Sequence, residues 1–191
     1  MLLYVHVPFC RRKCGYCAFS SEVLPHDGKR AVDDYLENLH AEIALWGTRL
    51  GRTPVESVFL GGGTPSLVEP EAVGAILENI RGTFAVCEDA EISMEANPDS
   101  LHSPERAAGY LAAGINRISL GVQSLNDAKL ARLCRLHRAE EAVRAVAAIR
   151  EAGCRNLNLD LMWGLPEQNL EQWQDDIRKV LDLEPDHVSA Y

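Results

Sequence analysis

A run of apolar residues long enough to span a bilayer is missing from this 191-residue sequence, and its first residues do not resemble a signal peptide. We therefore expect a cytoplasmic protein, in which the six cysteines are thiols or metal ligands rather than disulfides. Positive charge is also scarce, since 28 acidic residues outnumber 19 Lys and Arg and the formal net charge is −9. This composition disfavours nucleic acid as a partner.

The sequence does contain a repeated alternation of short apolar strands and amphipathic helices. Strands are predicted at residues 2–7, 55–60, 91–96, 116–120, 156–162 and 187–191. Five helices are predicted between them, the first over residues 30–50. Ser103 is expected to cap the third helix and Gly114 to end it, and Asn169 with Gln172 forms a capping box for the fifth.

Six strands alternating with five helices predict an α/β fold with a parallel sheet and right-handed crossovers. The pattern fits either a doubly wound sheet or part of a β/α barrel. The sequence stops on its sixth strand with no helix to cover it, so we expect a truncated domain.

The strongest single motif is a loop with three cysteines, Cys10, Cys14 and Cys17, directly after the first strand. Iron–sulfur clusters are held by cysteine thiolates, and three ligands on a four-iron cluster leave one iron open for another molecule. A zinc site and a set of buried apolar cysteines are the alternatives. The remaining cysteines (Cys87, Cys134, Cys154) are expected in or beside helices as core or surface thiols.

Unusual residues also lie in or directly after the ends of the next four strands. A triple glycine with Thr64 follows the second strand, Glu95 ends the third, Gln123 follows the fourth and Asp160 lies in the fifth. The triple glycine alone is equally typical of a plain strand-to-helix turn, and one carboxylate can be structural. Because the carboxyl ends of parallel strands meet at one edge, the whole set predicts a binding site there. His6 is expected to be a structural histidine.

Taken together, these motifs resemble the radical SAM superfamily, and specifically its coproporphyrinogen-dehydrogenase/HemW branch. The resemblance covers nearly the whole chain. It rests on five segments: Tyr4-Val5-His6-Val7-Pro8-Phe9-Cys10 with the cysteine loop, Gly61-Gly62-Gly63-Thr64-Pro65, Ser93-Met94-Glu95-Ala96-Asn97-Pro98, Gly121-Val122-Gln123-Ser124 and Asp160-Leu161-Met162-Trp163-Gly164-Leu165-Pro166.

The resemblance implies a partial (β/α)6 TIM-like barrel, with residues 1–191 as the radical SAM core domain. It implies a [4Fe–4S] cluster on Cys10, Cys14 and Cys17, with S-adenosylmethionine (SAM) on the open iron. The implied SAM contacts are Tyr4 and Tyr16 against the ligand, Gly62, Gly63 and Thr64 at its methionyl part, Glu95 and Arg135 at its charged groups, and Gln123 and Asp160 at its ribose.

Within this branch, Phe19 stands where coproporphyrinogen dehydrogenases have a further cysteine. That residue favours the HemW group, which are regarded as haem chaperones. The implied ligand is haem or a porphyrinogen, and the implied recipient is an apo-haemoprotein, for example a membrane-associated respiratory enzyme. A homodimer is compatible with this reading. The alternatives are an oxygen-independent coproporphyrinogen III oxidase and another radical SAM enzyme, such as one that modifies RNA. The family's haem-associated C-terminal motif is absent from these residues.

Overall fold

The structure is a computed structural model, and it describes residues 1–25 and 28–191. The strands are β1 Leu2–Val7, β2 Phe9–Cys10, β3 Glu22–Val23, β4 Pro54–Gly62, β5 Ala85–Ala96, β6 Arg117–Gln123, β7 Leu157–Leu161 and β8 His187–Ala190. The helices are α1 Lys29–Leu50, α2 Pro70–Thr83, α3 Pro104–Ala113, α4 Asp127–Arg132, α5 Ala139–Glu151 and α6 Leu170–Leu181, with a 3₁₀ turn at Pro65–Leu67.

Six strands form one sheet in the order β1-β4-β5-β6-β7-β8, and every neighbouring pair is parallel. Helices follow the strands along the chain, so the predicted α/β class and parallel sheet are confirmed. The two short strands β2 and β3 pair with each other and bracket the cysteine loop. Among the described residues, no helix combines the length and the apolarity that a membrane crossing requires.

Side chains alternate across the sheet, as the period of a strand requires. On β7, Leu157, Leu159 and Leu161 are fully buried and belong to the main hydrophobic core. Asn158 and Asp160 point to the other face, where they bond to each other. One face of the sheet is therefore packed with apolar residues, and the opposite face carries polar groups.

The local signals at the helix ends act as expected. Ser103 accepts a hydrogen bond from the backbone N–H of Arg106, and Gly114 ends α3 with a φ of 110°. Asn169 and Gln172 form the predicted capping box at the start of α6. These contacts fix where the helices begin and end, so each strand delivers its last residues to the same edge of the sheet.

Two sequence-based expectations are wrong. The structure has an additional short helix, α4, which is capped by Asn126. At six residues it is too short to show the repeating apolar pattern by which the other helices were predicted. Strand β5 begins at Ala85 rather than at residue 91, so Cys87 lies in a strand and not in or beside a helix. The first part of β5 is half-exposed and contains acidic residues, so a pattern of apolar residues does not predict it as a strand.

Candidate functional site

The cysteine loop begins in β2 and lies over the carboxyl edge of the sheet. None of the three thiols is buried, which contradicts the alternative that they are core residues. The loop is shaped by its own contacts: the backbone N–H of Cys17 donates to the carbonyl of Cys14 (3.1 Å), and the Lys13 ammonium donates to the carbonyl of Phe19 (2.6 Å). Arg11 ties the loop to the carbonyl of Asp99 at 2.7 Å.

The glycine loop, whose first two glycines are the last residues of β4, packs directly beneath the cysteine loop. A Cβ atom on Gly63 would lie 2.5 Å from the carbonyl oxygen of Phe9, so no larger residue fits without moving the backbone. Gly62 has a φ of 110° and lies against the His6 ring, and its N–H donates to Glu95 at 3.0 Å. The triple glycine is therefore more than a plain turn, because it brings two loops into contact.

A cavity of about 320 Å³ opens between the cysteine loop and the sheet edge. It is lined by all of the residues predicted to hold the cluster and SAM except Tyr4: Cys10, Cys14, Tyr16, Cys17, Gly62, Gly63, Thr64, Glu95, Gln123, Arg135 and Asp160. Phe19, Asn97, Met162 and Tyr191 complete part of its wall. Residues from five strands and their loops therefore converge on one space.

Tyr4 lies outside that cavity, on the edge strand β1. Its ring stacks on Phe59 with the centroids 6.1 Å apart, and its hydroxyl is 3.1 Å from Nδ1 of His6. The Nε2 atom of His6 is 2.7 Å from the carbonyl of Ser20, so His6 is a bonded structural histidine as expected. Tyr4 also borders a larger groove of about 460 Å³ between β1 and α1, whose lining is mainly apolar and contains none of the three loop cysteines.

Two carboxylates face the cavity. Burial raises the pKa of Glu95, and Asp160 acts in the same direction, whereas the Gly62 N–H and His6 oppose the shift. Burial also raises the pKa of Asp160, against hydrogen bonds that include those from Asn158 and Ser119. Within residues 1–25 and 28–191, neither carboxylate has a cationic side chain as an ion-pair partner.

One guanidinium, that of Arg135, also lines the cavity. Arg135 donates to Oδ1 of Asn97 (2.6 Å) and to the carbonyl of Gly121 (2.7 Å), and its other terminal nitrogen lies 3.7 Å from the sulfur of Cys14. Tyr16 lies beside it. Burial raises the pKa of the Tyr16 hydroxyl to about 12, and Arg135 acts in the opposite direction.

Gln123 ends β6 in an unusual backbone conformation. Its φ is 67°, in the left-handed region, and the register between β6 and β7 shifts between Leu120 and Gln123. Such a conformation in a residue other than glycine costs free energy, and it turns the amide into the cavity. The buried His137 holds the backbone next to Gln123, because its Nε2 lies 3.1 Å from the carbonyl of Val122. Nothing in the sequence marked His137, and Asn97 appeared only within the segment 93–98 of the family resemblance, without a role of its own.

The three cysteines are not arranged around one point. In the described parts of the chain, no three His, Cys, Asp or Glu side chains are gathered closely enough to hold a single metal ion.

Comparison with known proteins defines the class. The sequence matches the radical SAM superfamily over residues 4–180, and the chain belongs to that superfamily. Membership implies a [4Fe–4S] cluster and SAM. The structure is similar to that of the coproporphyrinogen III oxidase HemN from Escherichia coli, described as a radical SAM enzyme, with a TM-score of 0.88 and 31% identity. The match covers 100% of this chain and 44% of HemN, and it confirms the TIM-like fold.

Two curated relatives are more similar in sequence. The heme chaperone HemW of Escherichia coli is 42% identical over 189 residues, which is 99% of this chain and 49% of that protein. The heme chaperone HemW of Haemophilus influenzae is 42% identical over 191 residues, 99% of this chain and 50% of that protein. The chain thus spans about half the length of the curated relatives it matches.

Proposed function

We propose that residues 1–191 form the radical SAM core of a HemW-type haem chaperone. In this proposal Cys10, Cys14 and Cys17 hold a [4Fe–4S] cluster, and SAM occupies the adjoining cavity. The observation that supports the chaperone over the oxidase is the 42% identity to the HemW proteins of Escherichia coli and Haemophilus influenzae along the whole chain, against 36% to a curated oxygen-independent coproporphyrinogen III oxidase and 31% to HemN. Phe19, in place of a further cysteine, supports the same choice.

The cavity fits SAM by its chemistry. SAM carries an amino group, a carboxylate and a sulfonium, so it needs opposite charges within one small space. Glu95 and Asp160 offer carboxylates without ion-pair partners in the described chain, and Arg135 offers a guanidinium. Vicinal ribose hydroxyls match a carboxylate and an amide, which Asp160 and Gln123 supply. The cluster, when bound, supplies a one-electron reductant beside this cavity.

The residues of the chain would act by binding and orientation. Gly62 and Gly63 leave the backbone open to the methionyl part, and Thr64 is buried beneath Cys10 with its hydroxyl 3.6 Å from the sulfur. Tyr16 covers the Arg135 side of the cavity. Tyr4 contributes at most from the rim, because it does not line the cavity.

The cluster is tested by anaerobic reconstitution. We expect about four irons per chain and a brown chromophore, with loss of both in Cys10→Ala, Cys14→Ala and Cys17→Ala. Cys134→Ala is the sharpest control, because its sulfur lies against the cysteine loop, 3.7 Å from where a Cβ atom on Gly15 would lie. If Cys134→Ala also loses the iron, the assignment of three ligands is wrong.

The second candidate is an oxygen-independent coproporphyrinogen III oxidase, which the structural match to HemN favours. The two are separated by giving the reconstituted protein haem, and in parallel coproporphyrinogen III with SAM and dithionite. For the full-length protein we expect haem uptake, seen by absorbance, and transfer to an apo-haemoprotein, without decarboxylated product. Residues 1–191 alone should transfer haem poorly, because the family's haem-associated motif is not among them. Formation of protoporphyrinogen would favour the oxidase.

A further inference from the structure

Asn97 connects two residues of the site and has no role in the proposals above. It follows β5, and its side-chain carbonyl accepts a hydrogen bond from Arg135 at 2.6 Å. Its amide nitrogen donates to the hydroxyl oxygen of Thr64 at 3.1 Å. One amide therefore joins the guanidinium on one side of the cavity to the glycine loop on the other.

The direction of these bonds is fixed by chemistry. A guanidinium only donates, so the carbonyl oxygen of Asn97 must face Arg135 and its NH₂ group must face Thr64. Thr64 then accepts from Asn97, and its single hydroxyl hydrogen is free for another acceptor. The sulfur of Cys10, 3.6 Å away, is that acceptor.

Two of the three thiols therefore receive a donor from this network. Thr64 donates to Cys10, and Arg135 reaches Cys14 at 3.7 Å. In the described residues, no donor is bonded to the sulfur of Cys17. Asn97 is bonded to both donors, and the carbonyl of Gly121 also accepts from Arg135. The three thiols therefore differ in the hydrogen bonds that they receive.

Asn97 is itself held firmly. Its backbone N–H donates to the hydroxyl of Ser66 at 3.3 Å, and its carbonyl accepts from the hydroxyl of Ser100 at 3.0 Å. The two serine hydroxyls are 2.6 Å apart and both residues are buried. Tyr110, fully buried on α3, donates to the backbone beside Ser66. The amide plane is thus supported from behind by the fold.

We infer that Asn97 is a positioning residue for the iron–sulfur site: it holds the Thr64 hydroxyl on Cys10 and the Arg135 guanidinium on Cys14. This inference rests on the proposed cluster. Donors to cysteine sulfur stabilise the reduced cluster, which carries the greater negative charge, and so raise its reduction potential. Asn97 therefore sets the potential of the cluster without touching it.

The test is an EPR-monitored redox titration of the reconstituted protein. Asn97→Leu removes both amide bonds at similar size, and Thr64→Val removes only the hydroxyl. We expect both variants to shift the midpoint potential in the negative direction, by about 59 mV for a tenfold change in the one-electron equilibrium. Thr64→Ser should restore the wild-type value. Thr83→Val is the matched control, because its hydroxyl is bonded to Asn79 on α2 (3.4 Å), remote from the cysteines.

The coupling between the two residues is the decisive readout. Because Asn97 acts on Cys10 through Thr64, the double variant Asn97→Leu/Thr64→Val should have the same midpoint potential as Asn97→Leu alone. Its shift should not equal the sum of the two single shifts. If Asn97→Leu does not fold, Asn97→Asp replaces it, because aspartate keeps an acceptor for Arg135 but loses the donor to Thr64. The shift in midpoint potential caused by Asn97→Asp should be smaller in the Thr64→Val background than in the wild type. Unchanged potentials or additive shifts would overturn the inference about Asn97 but would not affect the proposal that the cysteines hold a cluster. Wild-type protein without iron would overturn both this inference and the proposed function.

Discussion

Two parts of the molecule carry charge inside the protein and hold it in different ways. The buried pair consists of Lys129 on α4 and Asp176 on α6, with the ammonium 2.9 Å from a carboxylate oxygen. Asp176 also accepts from the hydroxyl of Ser124 and the backbone N–H of Leu125. Every charge in this pair is therefore matched inside the chain.

The cavity group, Glu95, Asp160 and Arg135, is the opposite case. Its members have hydrogen bonds, but none of them has an ion-pair partner within residues 1–25 and 28–191. Burial raises the pKa of both carboxyl groups, which shows that their charged forms are held at a cost. A closed pair stabilises the fold, whereas open charges around a cavity are suited to a ligand that brings the missing charges. The same substitution in the two places should therefore have opposite effects.

The largest effect is expected from Asp176→Asn. The variant leaves the Lys129 ammonium almost buried without a counter-charge, and breaking a buried pair costs about 3–5 kcal/mol. Unfolding in urea measures this loss, and affinity for SAM should not change in molecules that remain folded. The double variant Lys129→Met/Asp176→Asn removes both charges and keeps an amide oxygen as acceptor for Ser124 and Leu125, so it should recover most of the stability. A double variant as unstable as the single one would show that the two side chains stabilise the fold through packing and hydrogen bonds and not through their charges.

A smaller effect of another kind is expected from Asp160→Asn. The substitution keeps the size of the side chain but removes a charge that has hydrogen bonds and no ion-pair partner in the described chain. Because burial already disfavours the charged form, the free energy of unfolding should stay the same or rise. Binding of SAM to the cluster-loaded protein should weaken by about 1.5–3 kcal/mol, the value of a hydrogen bond to a charged group. Isothermal titration calorimetry measures it.

Glu91→Gln is the matched control for Asp160→Asn. Glu91 lies on β5, half-exposed beside Arg117 at 4.0 Å, and it does not line the cavity. Its neutralisation should leave SAM affinity unchanged. Equal losses in the two variants would mean that Asp160 acts only through the general charge of this face.

The contrast between these two places also marks what the sequence could reveal. The alternation of β7 is local, so the orientation of Asp160 away from Leu159 and Leu161 was predictable from a period of two. The capping residues Ser103 and Asn169 were predictable for the same reason. The pair of Lys129 and Asp176 joins residues 47 positions apart, and Asn97 reaches Thr64 and Arg135 over 33 and 38 positions. Contacts of that range follow from the packing of whole elements, and no pattern of neighbours encodes them.

His137 provides the smallest and most specific test, because it is a buried titratable group that should stay neutral. Its Nε2–H donates to the carbonyl of Val122, and in the described residues no protein group bonds to its Nδ1. Burial lowers its pKa to about 4, with Arg135 acting in the same direction and Glu141 and Asp127 opposing. In the unfolded chain the pKa of histidine is about 6.5.

As the pH falls below about 6.5, the unfolded chain therefore takes up a proton that folded His137 does not accept, and stability is lost until about pH 4. At pH 5 the expected loss from this one group is about 2 kcal/mol relative to pH 7. His137→Gln can keep a donor for Val122 but does not titrate, so it should flatten the curve of unfolding free energy against pH between 6.5 and 4. If the variant and the wild type lose stability in parallel over that range, His137 is not the group that titrates.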